Sequence, residues 1–178
     1  IYTDGLLNIF NSSLYGNQAK ALQQPNVQYQ LNGEGGAVYI SSQGSLNAAE
    51  DTFAYNSAIG ADAVYGYYGP LNLYYYQYGA GGQGEGGAIF NAGSLILNGN
   101  TIAGNSAVGG SNGGAGYGGG VFDSFNTPNS YFHDIAYSNI VAQNGGYYDF
   151  FFTNPLFATG GANLIGSSYQ QPVTYTIT

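Results

Sequence analysis

This chain predicts an all-β fold: a right-handed parallel β-helix (β-solenoid) of about four to five coils with long Gly- and Tyr-rich loop insertions. Three observations carry that expectation. GEGGAVYI at 33–40 returns as GEGGAIF at 84–90, and each copy leads into a similar tail, SLNAAEDTFAYNSAIG at 45–60 and SLILNGNTIAGNSAVG at 94–109. A supersecondary unit repeated in this way is stacked on its copies, because alone it cannot bury its own apolar face. Between the turn residues the apolar runs are short, β-branched or aliphatic, and bounded by Gly, Asn and Ser, which is strand chemistry. Helical spacing is nowhere sustained, and the 31 Gly would each cost about 1 kcal/mol inside a helix.

The elements follow in order. GLLNIFNSSLYGNQA at 5–19 matches the tail of the unit, so the chain enters mid-unit; strands are then expected over 37–40, 88–90, 94–97 and 140–142. GGGVFDS at 118–124 echoes the opening phrase, and SNIVAQNGG at 138–146 echoes the tail. From Gly86 to Asn105 one coil takes about twenty residues plus a variable loop, which fits a β-helix better than a propeller blade of about 40. Stacked coils put Val38, Ile40, Leu46, Phe53, Ile89, Leu95, Leu97, Ile102, Val121, Ile135, Ile140, Leu164 and Ile165 mostly into one elongated core. Each tail closes with an apolar residue followed three positions later by Asn: Leu14 and Asn17, Phe53 and Asn56, Ile102 and Asn105, Val141 and Asn144. Two readings of these Asn stand together, a ladder stacked from coil to coil and a plain turn preference. One domain is expected over 1–171. Residues 172–178 form a C-terminal strand free to be donated to a neighbour.

Composition narrows the function. With one Lys, no Arg and a net charge of −8, nothing basic is present to meet phosphates, so neither nucleic acid nor an anionic membrane is an expected partner. No run of eighteen apolar residues occurs, so no membrane insertion is expected. Cys is absent, which is neutral as to secretion; the chain starts at Ile1 without a basic-then-apolar leader, as a processed form or a fragment of something larger would, and its single Lys leaves trypsin-like proteases one site. An extracellular or cell-surface location is the expectation.

The phrases GGAV at 35–38 and GGAI at 86–89, with the apolar-x-x-Asn element FAYN at 53–56, resemble the repeat motifs of the chlamydial polymorphic outer-membrane proteins. NTIAGNSAVGG at 100–110, GGGVFDS at 118–124, YSNIVAQNGG at 137–146 and GGANLIG at 160–166 are similar to the parallel β-helix domains of bacterial secreted proteins with choice-of-anchor tails. The resemblance covers about half the chain, from Gly5 to Gly166, and leaves 20–32, 61–83 and 147–159 without a counterpart. It implies surface adhesins, fibre proteins or exoproteins as the functional neighbourhood.

Those three segments are where partner contacts are expected. The insertion holding Tyr65, Tyr67, Tyr68, Tyr74, Tyr75, Tyr76 and Tyr78 is too aromatic for an idle loop. It suits packing on the protein's own flank, contact with a neighbouring subunit, or stacking on sugar rings. A second aromatic run, Tyr147, Tyr148, Phe150, Phe151 and Phe152, is expected to be covered on both faces.

Enzymatic chemistry is thinly supplied. Asp123 with His133 and Asp134 is the best acid–base constellation, yet a lone His after a turn signal is ordinarily a surface residue, and no basic partner for an acidic sugar is at hand. No catalytic residue, metal or cofactor is therefore assigned. Glu34 and Glu85 occupy equivalent places in GEGG and are expected to stack, either repelling or sharing a cation such as Ca²⁺. The tail VTYTIT at 173–178 is the one Thr-alternating strand, too little for an ice-binding face, and Asn11–Ser13 is a chance-level glycosylation sequon.

The ends give the functional expectation. An open β-helix exposes unpaired N–H and C=O groups at each end, and no charged capping coil is evident at either. Val173, Thr174, Tyr175, Thr176, Ile177 and Thr178 form a strand suited to adding to the next copy, with Ile1 and Tyr2 at the accepting edge. The chain thus reads as a non-enzymatic, self-assembling extracellular filament subunit whose partner is itself. The alternatives are a monomeric adhesin that binds a surface polysaccharide and, third, a polysaccharide lyase or glycosidase.

Overall fold

Pairing of the repeat with itself organises the whole chain. The computed structural model describes residues 1–24, 30–63, 65–67, 76–78, 80–124, 134–153, 158–160 and 163–168. In three five-stranded sheets, every strand comes from a different pass of the chain and neighbours are parallel. The first sheet holds Tyr2–Thr3, Val38–Ile40, Ile89–Asn91, Val121–Asp123 and Phe150–Phe152. The second holds Leu6–Phe10, Ser45–Ala49, Ser94–Asn98, Ile135–Tyr137 and Ala158–Gly160. The third holds Ser13–Tyr15, Thr52–Ala54, Thr101–Ala103, Ile140–Ala142 and Leu164–Ile165.

Two three-stranded sheets complete the first three passes. The fourth sheet is Gln18–Lys20, Ser57–Ile59 and Ser106–Val108, and the fifth is Gly33–Glu34, Gly84–Glu85 and Gly116–Tyr117. Each pass visits the sheets in the same order. Among the described residues there is no helix, and the antiparallel pair Tyr65–Tyr67 with Tyr76–Tyr78 stands apart from the parallel sheets.

The repeat seen in the sequence is the register of pairing: Gly33 pairs with Gly84, Ser45 with Ser94, Thr52 with Thr101 and Ser57 with Ser106. Because side chains alternate along a strand, one register sets every column of the core. Val38, Ile89, Val121 and Phe150 form one buried column, Leu46 and Leu95 a second, and Phe53, Ile102 and Val141 a third. All of these side chains are buried, and Leu7, Leu14 and Ile165 close the ends of the cluster.

The fourth and fifth sheets lie closer together than side chains would allow. Their inward residues are Ala19, Ala58 and Ala107 facing glycine. A Cβ at Gly36 would lie 2.0 Å from the Gly87 carbonyl oxygen, one at Gly87 2.0 Å from that of Gly119, and one at Gly84 2.4 Å from that of Val108. In the same motif Gly35, Gly86 and Gly118 adopt φ of +63°, +65° and +59°, a region that L side chains rarely occupy. Close approach at the first and fourth positions and a left-handed turn at the third thus account for the G-x-G-G phrase. Gly116-Tyr117-Gly118-Gly119 is its third copy.

Three expectations need correction. Leu164 and Ile140 do not join the core: they fall in the outward column that begins Ser13, Thr52, Thr101, and both are exposed, while Val141 and Ile165 point inward. Ile135 is half-buried for the same reason, since it pairs with Ile96 in the outward column of the second sheet. Nor is 147–159 wholly an insertion. Phe150–Phe152 and Ala158–Gly160 are the fifth-pass strands of the first and second sheets. Within that run Phe150 and Phe152 are buried, but Tyr147 is exposed.

Candidate functional site

The outward and corner side chains form continuous columns along the stack. At the corner between the third and fourth sheets, Asn17, Asn56, Asn105 and Asn144 hydrogen-bond in sequence. The Asn17 amide donates to Asn56 Oδ1 at 2.9 Å, Asn56 to Asn105 at 2.9 Å, and Asn105 to Asn144 at 2.9 Å. Each backbone N–H donates to the same oxygen, and each amide of Asn56, Asn105 and Asn144 also caps a backbone carbonyl of the preceding pass: Leu14, Phe53 and Ile102. Asp149 ends the column, accepting from Asn144 at 2.9 Å and from the Ser167 hydroxyl at 2.9 Å. A buried polar atom at a bend is costly unless it has a partner, and here a single side chain meets that need across two passes.

A parallel column, missed in the sequence, runs through the corner between the second and third sheets: Ser12, Asp51, Asn100, Asn139 and Asn163. Its signal is legible as Asp or Asn five residues before each ladder Asn, at Asp51, Asn100 and Asn139. Also missed is a stack of rings on the outer side of the first sheet: Tyr2, Tyr39, Phe90, Phe122 and Phe151. Their centroids are 5.4, 5.0, 5.5 and 5.1 Å apart with planes within 9°. Tyr39, Phe90 and Phe122 each stand six residues after the first Gly of a G-x-G-G phrase. The rings face one another, Phe90 and Phe122 are buried, and Tyr2 at the first-pass end is exposed. Tyr117 joins the stack through Phe151 at 5.0 Å and in turn meets Tyr147 at 5.5 Å.

Two acid pairs lie beside these columns. The register that aligns Ile96 with Ile135 puts Asp134 beside Leu95, whose N–H it accepts at 2.6 Å, and Asn91 donates to both Asp123 and Asp134 at 3.1 Å. Burial, then the neighbouring Asp123 and the hydrogen bond between the two carboxyls, hold Asp134 well above the usual carboxylate range. With Asp123 1 % and Asp134 5 % exposed, the pair is closed to a polymeric substrate. His133 lies outside the described residues.

Glu34 and Glu85 are register partners, as their place in the repeat implies. Burial, then the charge of Glu34, pushes Glu85 up to about 7, against the Asn32 amide 3.3 Å away. Burial likewise raises Glu34. No group of three or more His, Cys, Asp or Glu able to hold a metal occurs among the described residues.

The acid pairs have a solution consequence. A carboxyl with a raised folded-state pKa binds its proton more tightly when folded, so stability falls as pH rises from the unfolded to the folded value. For Glu85 that window runs from 4.5 to about 7. The urea midpoint is expected to fall across it, and Glu85→Gln is expected to flatten that part of the curve. An unchanged slope in the variant would assign the dependence elsewhere.

The first pass differs from those above it. Each of its strands, Tyr2–Thr3, Leu6–Phe10, Ser13–Tyr15 and Gln18–Lys20, is the outermost of its sheet among the described residues. Ile1, Tyr2, Leu6, Phe10, Tyr15 and Leu22 are all exposed there, Leu6 by 70 % and Tyr15 by 68 %. Asn17 donates to Asn56, yet no donor reaches its own side-chain oxygen among the described residues. The proposed donor strand Val173, Thr174, Tyr175, Thr176, Ile177 and Thr178 lies outside the described residues, as do Tyr68, Tyr74 and Tyr75. The backbones of Tyr65, Tyr67, Tyr76 and Tyr78 lie in the antiparallel pair. Compared with known proteins, the chain matches no family model, no curated protein and no solved structure.

Proposed function

We propose that this protein is a non-enzymatic structural subunit of an extracellular filament, a right-handed parallel β-helix of four to five coils that stacks head to tail on copies of itself. The observation that carries the reading is the first pass. Among the described residues the ring stack reaches Tyr2 and the amide column reaches Asn17, whose side-chain oxygen accepts no bond there, on four edge strands. An exposed strand edge is a template for further pairing. What each column asks for at that edge is another ring, another corner amide and another apolar strand. A ring recurs in all five passes and a corner amide in the first four, so a second copy is the occupant that fits. A repeated heterologous contact that does not close gives a fibre.

Electron microscopy of the purified protein tests the reading. Uniform filaments are expected, and Leu6→Glu with Tyr15→Glu is expected to abolish them while β circular dichroism is retained, because a charge on an edge strand blocks pairing. Removing 173–178 is expected to shorten them severely if the tail is the donated strand. Single short rods from the unaltered protein would replace this reading with a monomeric adhesin for surface polysaccharide, and saccharide cleavage would replace it with an enzyme.

A further inference from the structure

The corner column Ser12, Asp51, Asn100, Asn139, Asn163 has one irregular member. At Asn100 and Asn139 the side-chain nitrogen donates twice. One bond goes to the next member's Oδ1, at 3.0 and 3.1 Å, and the other to a backbone carbonyl, Ala48 at 2.9 Å and Leu97 at 3.0 Å. Asp51 holds the same register. Its Oδ1 accepts the Ser12 N–H at 2.7 Å, and its own N–H donates to Asn100 Oδ1 at 2.9 Å. Oδ2 therefore stands where its neighbours carry the donor nitrogen. That oxygen is buried without a hydrogen-bond partner, in a residue 1 % exposed. By the register that gives the Asn100 amide its two acceptors, the places facing Oδ2 correspond to Asn100 Oδ1 and the carbonyl of Ile9, the residue paired with Ala48. An ionised oxygen there would meet two lone pairs in a residue shielded from solvent.

We propose that Asp51 is held as a neutral carboxylic acid whose proton, on Oδ2, takes the donor role of an Asn amide and latches the first two passes to the third. The groups facing it are the Ser12 N–H from the first pass, Ala49 from its own pass and Asn100 from the third. Glu50, next in the chain, is exposed, and no charged side chain among the described residues acts on Asp51. Burial pushes the carboxyl up, and the backbone contacts at Ser12 and Ala49 only partly offset that. The latch is complete below the unfolded value of about 3.9, and its contribution is lost as pH rises through the higher folded value. It is a proton-sensitive joint beside the first pass, and it stands whether or not that pass meets another copy.

Asp51→Asn puts a donor nitrogen in place at every pH. Its urea midpoint is expected to exceed that of the unaltered protein at about pH 8, with the gap closing toward about pH 3.5, where both proteins carry a donor. The difference between the two proteins removes the contributions of Glu85 and Asp134. In the unaltered protein, the ¹³C carboxyl signal of Asp51 is expected to titrate above the ordinary aspartate value of about 3.9. A gap independent of pH, a variant that is folded but weaker at about pH 8, or an Asp51 carboxyl ionising at or below the ordinary value would each overturn the proposal. Should Asp51→Asn not fold, the titration of the unaltered protein decides alone.

Discussion

Alanine in place of Gly87 is expected to leave the chain unfolded or insoluble, although it adds one methyl group. The added Cβ would sit 2.0 Å from the Gly119 carbonyl oxygen and within 2.7 Å of the Ser106 backbone. Neither obstacle is a side-chain end that can swing away. Both are pinned from pass to pass: Gly119 donates to the Tyr148 carbonyl, and Ser106 to that of Asn56. Relief would need the fourth and fifth sheets to separate, with loss of the Ala58 and Ala107 contacts behind them, and overpacking of a rigid core is costly. Gly5→Ala is the control, since nothing lies within 4 Å of its Cβ and its φ is not positive. Denaturant unfolding followed by circular dichroism checks the pair. Equal midpoints for the two variants would mean that the two sheets can part without loss.

Asn105→Leu is expected to cost several kcal/mol while nearly conserving volume. Leucine removes the acceptor for the Asn56 N–H and amide, both at 2.9 Å, and the donor to the Phe53 carbonyl and to Asn144, both at 2.9 Å. Each buried group left unpaired costs about 1–3 kcal/mol, and hydrogen bonds in a chain reinforce one another. The same change at Asn17 removes fewer bonds at an exposed end and is expected to cost about 1 kcal/mol. The ratio of the two, measured by urea unfolding, reads the ladder: equal costs would show that the members act singly, as turn residues.

How much is legible in the sequence follows from these particulars. The repeat GEGG and its tails appear twice with nearly the same letters, so the pairing of Ser45 with Ser94 and Thr52 with Thr101 can be read from the letters alone. The ladder Asn are legible for the same reason. Apolar character does not say which face of a strand a residue takes, so Ile140 and Leu164 read as core although their column holds Thr in the passes before. The second corner column keeps its place five residues before each ladder Asn, but its mixed chemistry of Ser, Asp and Asn shows as one column only when the register aligns it.

What the sequence determined by itself was the local unit: short strands, a G-x-G-G turn that only glycine can make, and an Asn at the bend. These depend on residues a few positions apart, whose geometry is set by φ and by strand alternation. What only the tertiary structure decided was which residues meet across passes. The corner partners are separated by 39, 49, 39 and 24 residues, because each pass carries an insertion of a different length. No fixed spacing could bring Asp134 against Asp123, line five rings along one sheet, or set Asp51 among acceptors. Those meetings come from backbone pairing, which ignores the length of the loops between strands and aligns whatever side chains the register delivers.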